Sequence, residues 1–301
     1  MAASLKLIHK KLENILKEFV WNTTPVNGNP SLQNLNGLDK IRAVLINLEN
    51  LNLFNNNINT LKNTVIFTTS SSSATIQNTE VQNIISQLNT IKILMQAFIE
   101  TLNKTLPAEN EGSINIKLPE VNDFDELSKV SREIHVGLTQ VIFNSEINGQ
   151  TKIVSVENGS IWFNVLVGVT TVPVIASLVW AGAVIYKKIQ EGKLLEQQVR
   201  GLKIKNDSLE DVLNAQKAET AFMIEAEAEY IQAQYFKENA PENIARIKNS
   251  IETFADLINK GAEIHPALVA PENVSNLFPD PKQITVGLES KIKKLSGASG
   301  N

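Results

Sequence analysis

The reading of this chain turns on Ile161–Tyr186, IWFNVLVGVTTVPVIASLVWAGAVIY. It carries no charged residue across 26 positions. A helix needs about 20 apolar residues to cross the hydrocarbon core of a bilayer. Trp162 and Phe163 stand at one end, Trp180 and Tyr186 near the other, as in an interfacial aromatic belt. A helix buried in a large soluble core would also be apolar, but one this long usually keeps a polar stripe. Here only Asn164, Thr170, Thr171 and Ser177 interrupt the run, and all are neutral. The composition predicts a membrane-inserting segment over residues 159–186. Its lipid-facing residues are Ile161, Trp162, Phe163, Val165, Leu166, Val174, Ile175, Leu178, Trp180, Ile185 and Tyr186.

Gly168 and Pro173 mark a bend inside that segment, because proline costs about 3 kcal/mol in a helix interior. A kinked single span is the simpler arrangement. Two arms of about 12 residues would each reach only ~18 Å at 1.5 Å per residue, which makes a hairpin re-entrant. The N-terminal flank carries Lys152, the C-terminal flank Lys187, Lys188, Lys193 and Arg200. Positive charge stays cytoplasmic, so this bias puts the C-terminal side inside. Lys187, Lys188 and Lys193 are the candidates to meet anionic headgroups.

Beyond Tyr186 the pattern is polar and helical to about Lys237. Leu195, Val199, Leu202, Leu209 and Leu213 recur at coiled-coil spacing, with a polar interruption at Asn206, and predict a seam between copies of the chain. Pro241 opens a return helix with Ile244, Ile247, Ile251, Phe254, Leu257 and Ile258 apolar, and Gly261 stops it. Residues 187–261 therefore form a long helix and its return, and 262–301 an extended tail.

Upstream, SINIKLPEV (Ser113–Val121) and TKIVSVE (Thr151–Glu157) alternate as strands and flank a helix opening on Asp123 and Glu126, a capping-box pattern. Residues 107–158 read as a β-α-β unit. Residues 1–106 read as a helical bundle. An amphipathic N-terminal helix carries Leu5, Ile8, Leu12, Ile15, Leu16 and Phe19; a second pattern spans Leu38 to about Leu61, and a long helix runs from about Glu80 to Leu106. The connections, Thr23–Gly37 and Phe67–Thr79, are rich in Asn, Ser, Gly or Pro and read as loops. The fold class expected is mainly α with a small α+β part.

Composition narrows the chemistry. The 301 residues carry a net charge of −4, which offers no global basic field to nucleic acid. The chain holds no Cys and three His (His9, His135 and His265), which leaves thiolate chemistry out and histidine chemistry sparse. P-loop, GxGxxG, HExxH and GxSxG patterns are missing from it. Glu225 and Glu229 stand at i,i+4 in EAEAEY without the Glu-x-x-His partner of a di-metal bundle. The expectation is a protein without enzymatic activity, cofactor or metal, whose partners are a lipid bilayer and its own copies. Its first 19 residues lack a secretory signal, so synthesis in the cytoplasm is expected.

The order strand, Gly-Ser, apolar helix, basic helix over roughly 113–205, centred on KIVSVENGSIW, resembles small bacterial membrane proteins with a compact sensor domain ahead of one span, some linked to anti-phage defence. That resemblance implies a membrane-anchored oligomer acting as scaffold or effector. Long helices around one central apolar segment also resemble α-helical pore-forming toxins of the cytolysin A class. In those, the apolar element is a tongue held against the soluble monomer until it meets lipid, and the counterpart here is Ile161–Tyr186.

Overall fold

The computed structural model describes residues 4–157, 161–201, 207–238, 240–284 and 288–292. It divides into two compact units, Ala3–Pro107 and Ala108–Asn301.

The first unit packs helices on a three-stranded antiparallel sheet. Its elements are α1 (Leu5–Glu18), β1 (Asn22–Val26), β2 (Asn29–Asn36), α2 (Leu38–Asn50), α3 (Asn55–Leu61), α4 (Val65–Thr68), β3 (Ser73–Gln77) and α5 (Asn78–Thr105). Sheet order is β1-β2-β3. Leu12 and Phe19 of the α1 segment, Ile41, Leu45 and Leu48 of α2, and Ile84, Leu88 and Ile91 of α5 share one buried core.

This corrects the expected all-helical bundle, because both presumed loops contain strands. Asn27-Gly28 turns the β1–β2 hairpin, with Gly28 at φ +81°. The two prolines do not block the sheet. Pro25 lies on the edge strand, and Pro30 lies where β2 has only β1 beside it, since β3 begins pairing at Leu32. Arg42 of α2 holds the chain ahead of β3, donating to the carbonyls of Ile66 (2.8 Å) and Thr69 (2.6 Å).

The second unit contains β4 (Ser113–Lys117), α6 (Phe124–Ile142), β5 (Lys152–Glu157), β6 (Trp162–Leu166), α7 (Val172–Gly201), α8 (Asp207–Tyr235), α9 (Pro241–Asn259), β7 (Glu263–Pro266), α10 (Glu272–Ser275) and α11 (Pro281–Ile284). Asp123 caps α6 through the Glu126 amide at 2.8 Å, and Glu126 reaches back to the Asn122 amide at 2.8 Å. Its sheet is antiparallel between neighbours, in the order β5-β6-β4-β7. β4 and β5 are therefore parallel to each other but separated by β6, so β4-α6-β5 is a split β-α-β unit.

That inserted strand is the first correction to the apolar segment. Trp162, Phe163, Val165 and Leu166 belong to β6, hydrogen-bonded between β4 and β5, while Ile161 precedes the strand. The β-branched and aromatic residues ahead of Gly168 satisfy their backbone groups in a sheet rather than in a helix. Gly168 does form a bend, at φ +106°, but it joins strand to helix. Pro173 stands second in α7, where its missing N–H costs nothing, and so it opens the helix instead of kinking it.

The second correction concerns the long polar helix. α7 ends at Gly201, α8 begins at Asp207, and the two pack against each other, as do α7 with α9 and α6 with α9. Leu213 faces Ile189 of its own chain in a groove between α7 and α8. Leu195 is half-buried in α7; Leu202 and Asn206 lie outside the described residues, as do the side chains of Val199 and Leu209. α9 opens on Pro241, and Gly261 follows it at φ +98°.

Candidate functional site

The most unusual element is α7. It is the one helix among the described residues long and apolar enough to cross a membrane by length and composition, with mean hydropathy 1.5 in its most apolar part. Two-thirds of that stretch (67%) is buried inside the protein. Val174, Ile175, Ala176, Leu178 and Val179 are buried in succession, as are Ala181, Ala183, Val184 and Ile185. Consecutive burial covers every direction around the axis, as expected of a helix apolar all round. Its neighbours in the core are Ile114, Ile116, Val165 and Ile264 of the sheet, Ile224 and Ile231 of α8, and Ile247, Ile251 and Phe254 of α9. At roughly 1.5–3 kcal/mol for each large aliphatic side chain buried, this contact is a major part of the unit's stability.

Helices α7 and α9 approach closely at Gly182. A Cβ there would stand 2.8 Å from Cβ of Phe254 and 3.1 Å from the Ala255 nitrogen. Only glycine permits that approach, so this position sets the spacing of the two helices.

Polar contacts tie the covering elements to α7. The Ser177 and Tyr235 hydroxyls are 2.9 Å apart, and the Tyr235 hydroxyl lies 3.2 Å from the Pro173 carbonyl, to which it donates. Burial pushes the Tyr235 phenol above its ordinary range, opposed by the Ser177 bond. Glu227 of α8 is 4% exposed and accepts the Ser290 hydroxyl at 2.6 Å. Burial pushes its carboxyl up, against the pull of that hydrogen bond and of the Lys291 charge. Residues 288–292 run as a strap beside α7. Leu288 is buried with Ala183, Val184 and Ile258. The Trp180 indole donates to the Glu289 carbonyl at 3.1 Å, and the Lys291 ammonium sits 4.2 Å above the Trp180 ring.

The lysines expected at headgroups are largely engaged inside the fold. Lys187 donates to the Leu288 carbonyl at 3.4 Å, and Lys188 pairs with Glu219 at 2.9 Å. Lys193 is exposed on the rim of the α7–α8 groove, opposite Lys217, over a floor of Ile189 and Leu213. Of the predicted lipid-facing residues, Val174, Ile175, Leu178 and Ile185 are buried. Trp180 and Tyr186 are half-buried beside them, and the four on β6 are held in the sheet.

Sequence reasoning missed Glu227 and the strap. Glu227 was hidden by its neighbours Glu225 and Glu229, one paired with Lys248 and the other exposed. The legible signal was its phase, since Ile224, Glu227, Ala228, Ile231 and Tyr235 repeat at helical spacing on the buried face. The strap has no periodicity to reveal it.

A second polar cluster lies on the sheet face turned away from the helices. Asn164 donates to Asn115 at 2.8 Å, and Asn115 donates to Glu109 at 3.2 Å. Glu263 bridges Lys117 and His265, the latter at 3.0 Å. The His265 bond, joined by the Lys117 bond and charge, outweighs burial and holds the Glu263 carboxyl down at about 2. The His265 ring lies 5.6 Å from the Trp162 ring. His265 is thus a half-buried hydrogen-bonding partner of Glu263 within the sheet, while His135 is exposed on α6.

The chain is similar to an uncharacterized protein, YqaP, of Bacillus subtilis (strain 168), at 26% identity over 214 residues, 69% of each chain. No family model matches it, and no solved structure does.

Proposed function

We propose that this is a non-enzymatic protein that inserts α7 into a lipid bilayer on demand. The folded form keeps the helix sheathed, and release exposes it. The observation that carries this reading is the pairing of two properties in one element. α7 has the length and apolarity of a span, yet two-thirds of its apolar stretch is buried in the protein, with Val174–Val179 and Ala181–Ile185 packed against the sheet, α8 and α9. A permanently anchored span would leave α7 standing clear of its own chain. A sheathed one behaves as the tongue of the cytolysin A class does. Once in the bilayer, lipid or the α7 of further copies would take the place of α8 and α9 around it.

The experiment is flotation of the detergent-free protein with liposomes, followed by carbonate washing. Wild type is expected to stay mainly in solution. Gly182→Leu, which pries α7 from α9, is expected to float with the vesicles and to resist the wash. If that variant aggregates in solution and never floats, α7 is simply a core helix and the reading is wrong.

A further inference from the structure

The strap at residues 288–292 touches α7 and the elements that cover it at several independent points. Leu288 fills the space between Ala183, Val184 and Ile258, joining α7 to α9. The Glu289 carbonyl receives the Trp180 indole N–H at 3.1 Å, and the Leu288 carbonyl receives Lys187 at 3.4 Å. Ser290 reaches over to Glu227 of α8 at 2.6 Å. Lys291 stacks on Trp180 and donates to the Leu277 carbonyl at 3.0 Å. Residues 288–292 thus bond to α7 and α8 and pack on α9.

We propose that residues 288–292 are a latch, an autoinhibitory contact whose release frees α7. This rests on the membrane reading of α7 given above. The strap is suited to the part because it touches α7, α8 and α9 at once. It grips α7 at Trp180, Ala183, Val184 and Lys187, the C-terminal half of the apolar run. No backbone ladder joins it to α7, because the hydrogen bonds between them run from the Trp180 and Lys187 side chains to strap carbonyls. Its grip is also mixed: one buried leucine, one cation over an indole, and single hydrogen bonds. Such a set is lost together once the segment moves.

The chain offers a built-in reporter. It has three tryptophans, and Trp21→Phe with Trp162→Phe leaves Trp180 as the only indole. In that background, Leu288→Ser with Ser290→Ala is compared with Val269→Ser, an exposed tail position away from the strap. Acrylamide quenching of Trp180 and flotation with phosphatidylglycerol–phosphatidylcholine vesicles are measured on the full chain. The latch predicts at least a twofold rise in quenching and at least a fivefold rise in the vesicle-bound fraction for the strap variant, with neither for Val269→Ser. Unchanged quenching overturns the proposal, since the strap would then not be closed over Trp180 in solution. Increased quenching with no gain in flotation, while Gly182→Leu does float, also overturns it and leaves the membrane reading standing. If neither floats, the membrane reading itself falls. Should the double variant fail to fold, Lys291→Gln removes the cation over Trp180 and beside Glu227 and weakens the bond to the Leu277 carbonyl. It must then move both readouts in the same direction relative to Val269→Ser, or the latch is rejected.

Discussion

Helices α5 and α7 are nearly equal in length, at 28 and 30 residues, and serve opposite roles. α5 is one-sided. Val81, Ile84, Leu88, Ile91 and Met95 make a single buried stripe, and Ile93, on the other side, is 63% exposed. α7 has no outer side between Val174 and Val179, because sheet and helices surround it. A one-sided helix needs a single partner surface and water on its back. An all-round apolar helix needs either a complete protein sheath or lipid, and composition alone does not say which.

The contrast can be broken most directly by charge. Leu178→Asp, at a fully buried site of α7, is expected to cost more than about 4 kcal/mol and to abolish the thermal transition of the Ala108–Asn301 unit. A retained transition, followed by calorimetry, would mean that the sheath is loose. Next in size, Gly182→Leu should cost ~1–3 kcal/mol by overpacking against Phe254, read from urea titration. Gly182→Ala should cost less, because its single methyl meets the same atoms with fewer others behind it.

The polar part of the sheath is tested by pH. The carboxyl of Glu227 is raised in the folded state, so folding binds a proton more readily there than the unfolded chain does. Its contribution to stability is therefore present below the ordinary carboxylate pKa and declines as pH rises through the raised value. Glu227→Gln should raise Tm at pH 7 and lose that advantage toward pH 4; a variant less stable than wild type at both values would contradict this. Glu263 runs the other way. Its carboxyl is held at about 2, so the stability it adds is present above pH 4.5 and fades as pH falls toward 2. Glu263→Gln should flatten that acid limb, and an unchanged limb would show that the Lys117 and His265 contacts contribute nothing. The smallest effect belongs to α5. Ile93→Asp should change stability by no more than about 0.5 kcal/mol, since the side chain already faces water.

The mainly helical character was legible because it rests on periodicity. α6 announced itself through Asp123 and Glu126, and α9 through Pro241 and Gly261. The small α+β part was legible from the alternation of Ile114, Ile116 and Leu118. Two kinds of element were not. β1, β2 and β3 are polar strands that bury little beyond Leu35, so no alternation of apolar residues marked them, although Asn27-Gly28 was a hairpin signal in plain view. β6 was absorbed into the apolar run because strand and helix look alike when both faces are buried. At the site, the lysines and apolar residues were visible as types. What they meet, Glu219 or the Leu288 carbonyl, depends on long-range folding that spacing does not encode.

The order of elements along the chain has a consequence during synthesis. α7 leaves the ribosome before either helix that covers it, and α9 ends about 60 residues after α7 does. At roughly 5–20 residues per second, the apolar helix spends about 3–12 s with only β4–β6 and α6 available to cover it, before α8 and α9 are complete. The split sheet compounds this, because β7, its last strand, emerges later still. Every newly made copy therefore passes through a stage in which the α8 and α9 side of α7 is still open to its surroundings. Completion of α8 and α9 is therefore the step that closes the core around α7.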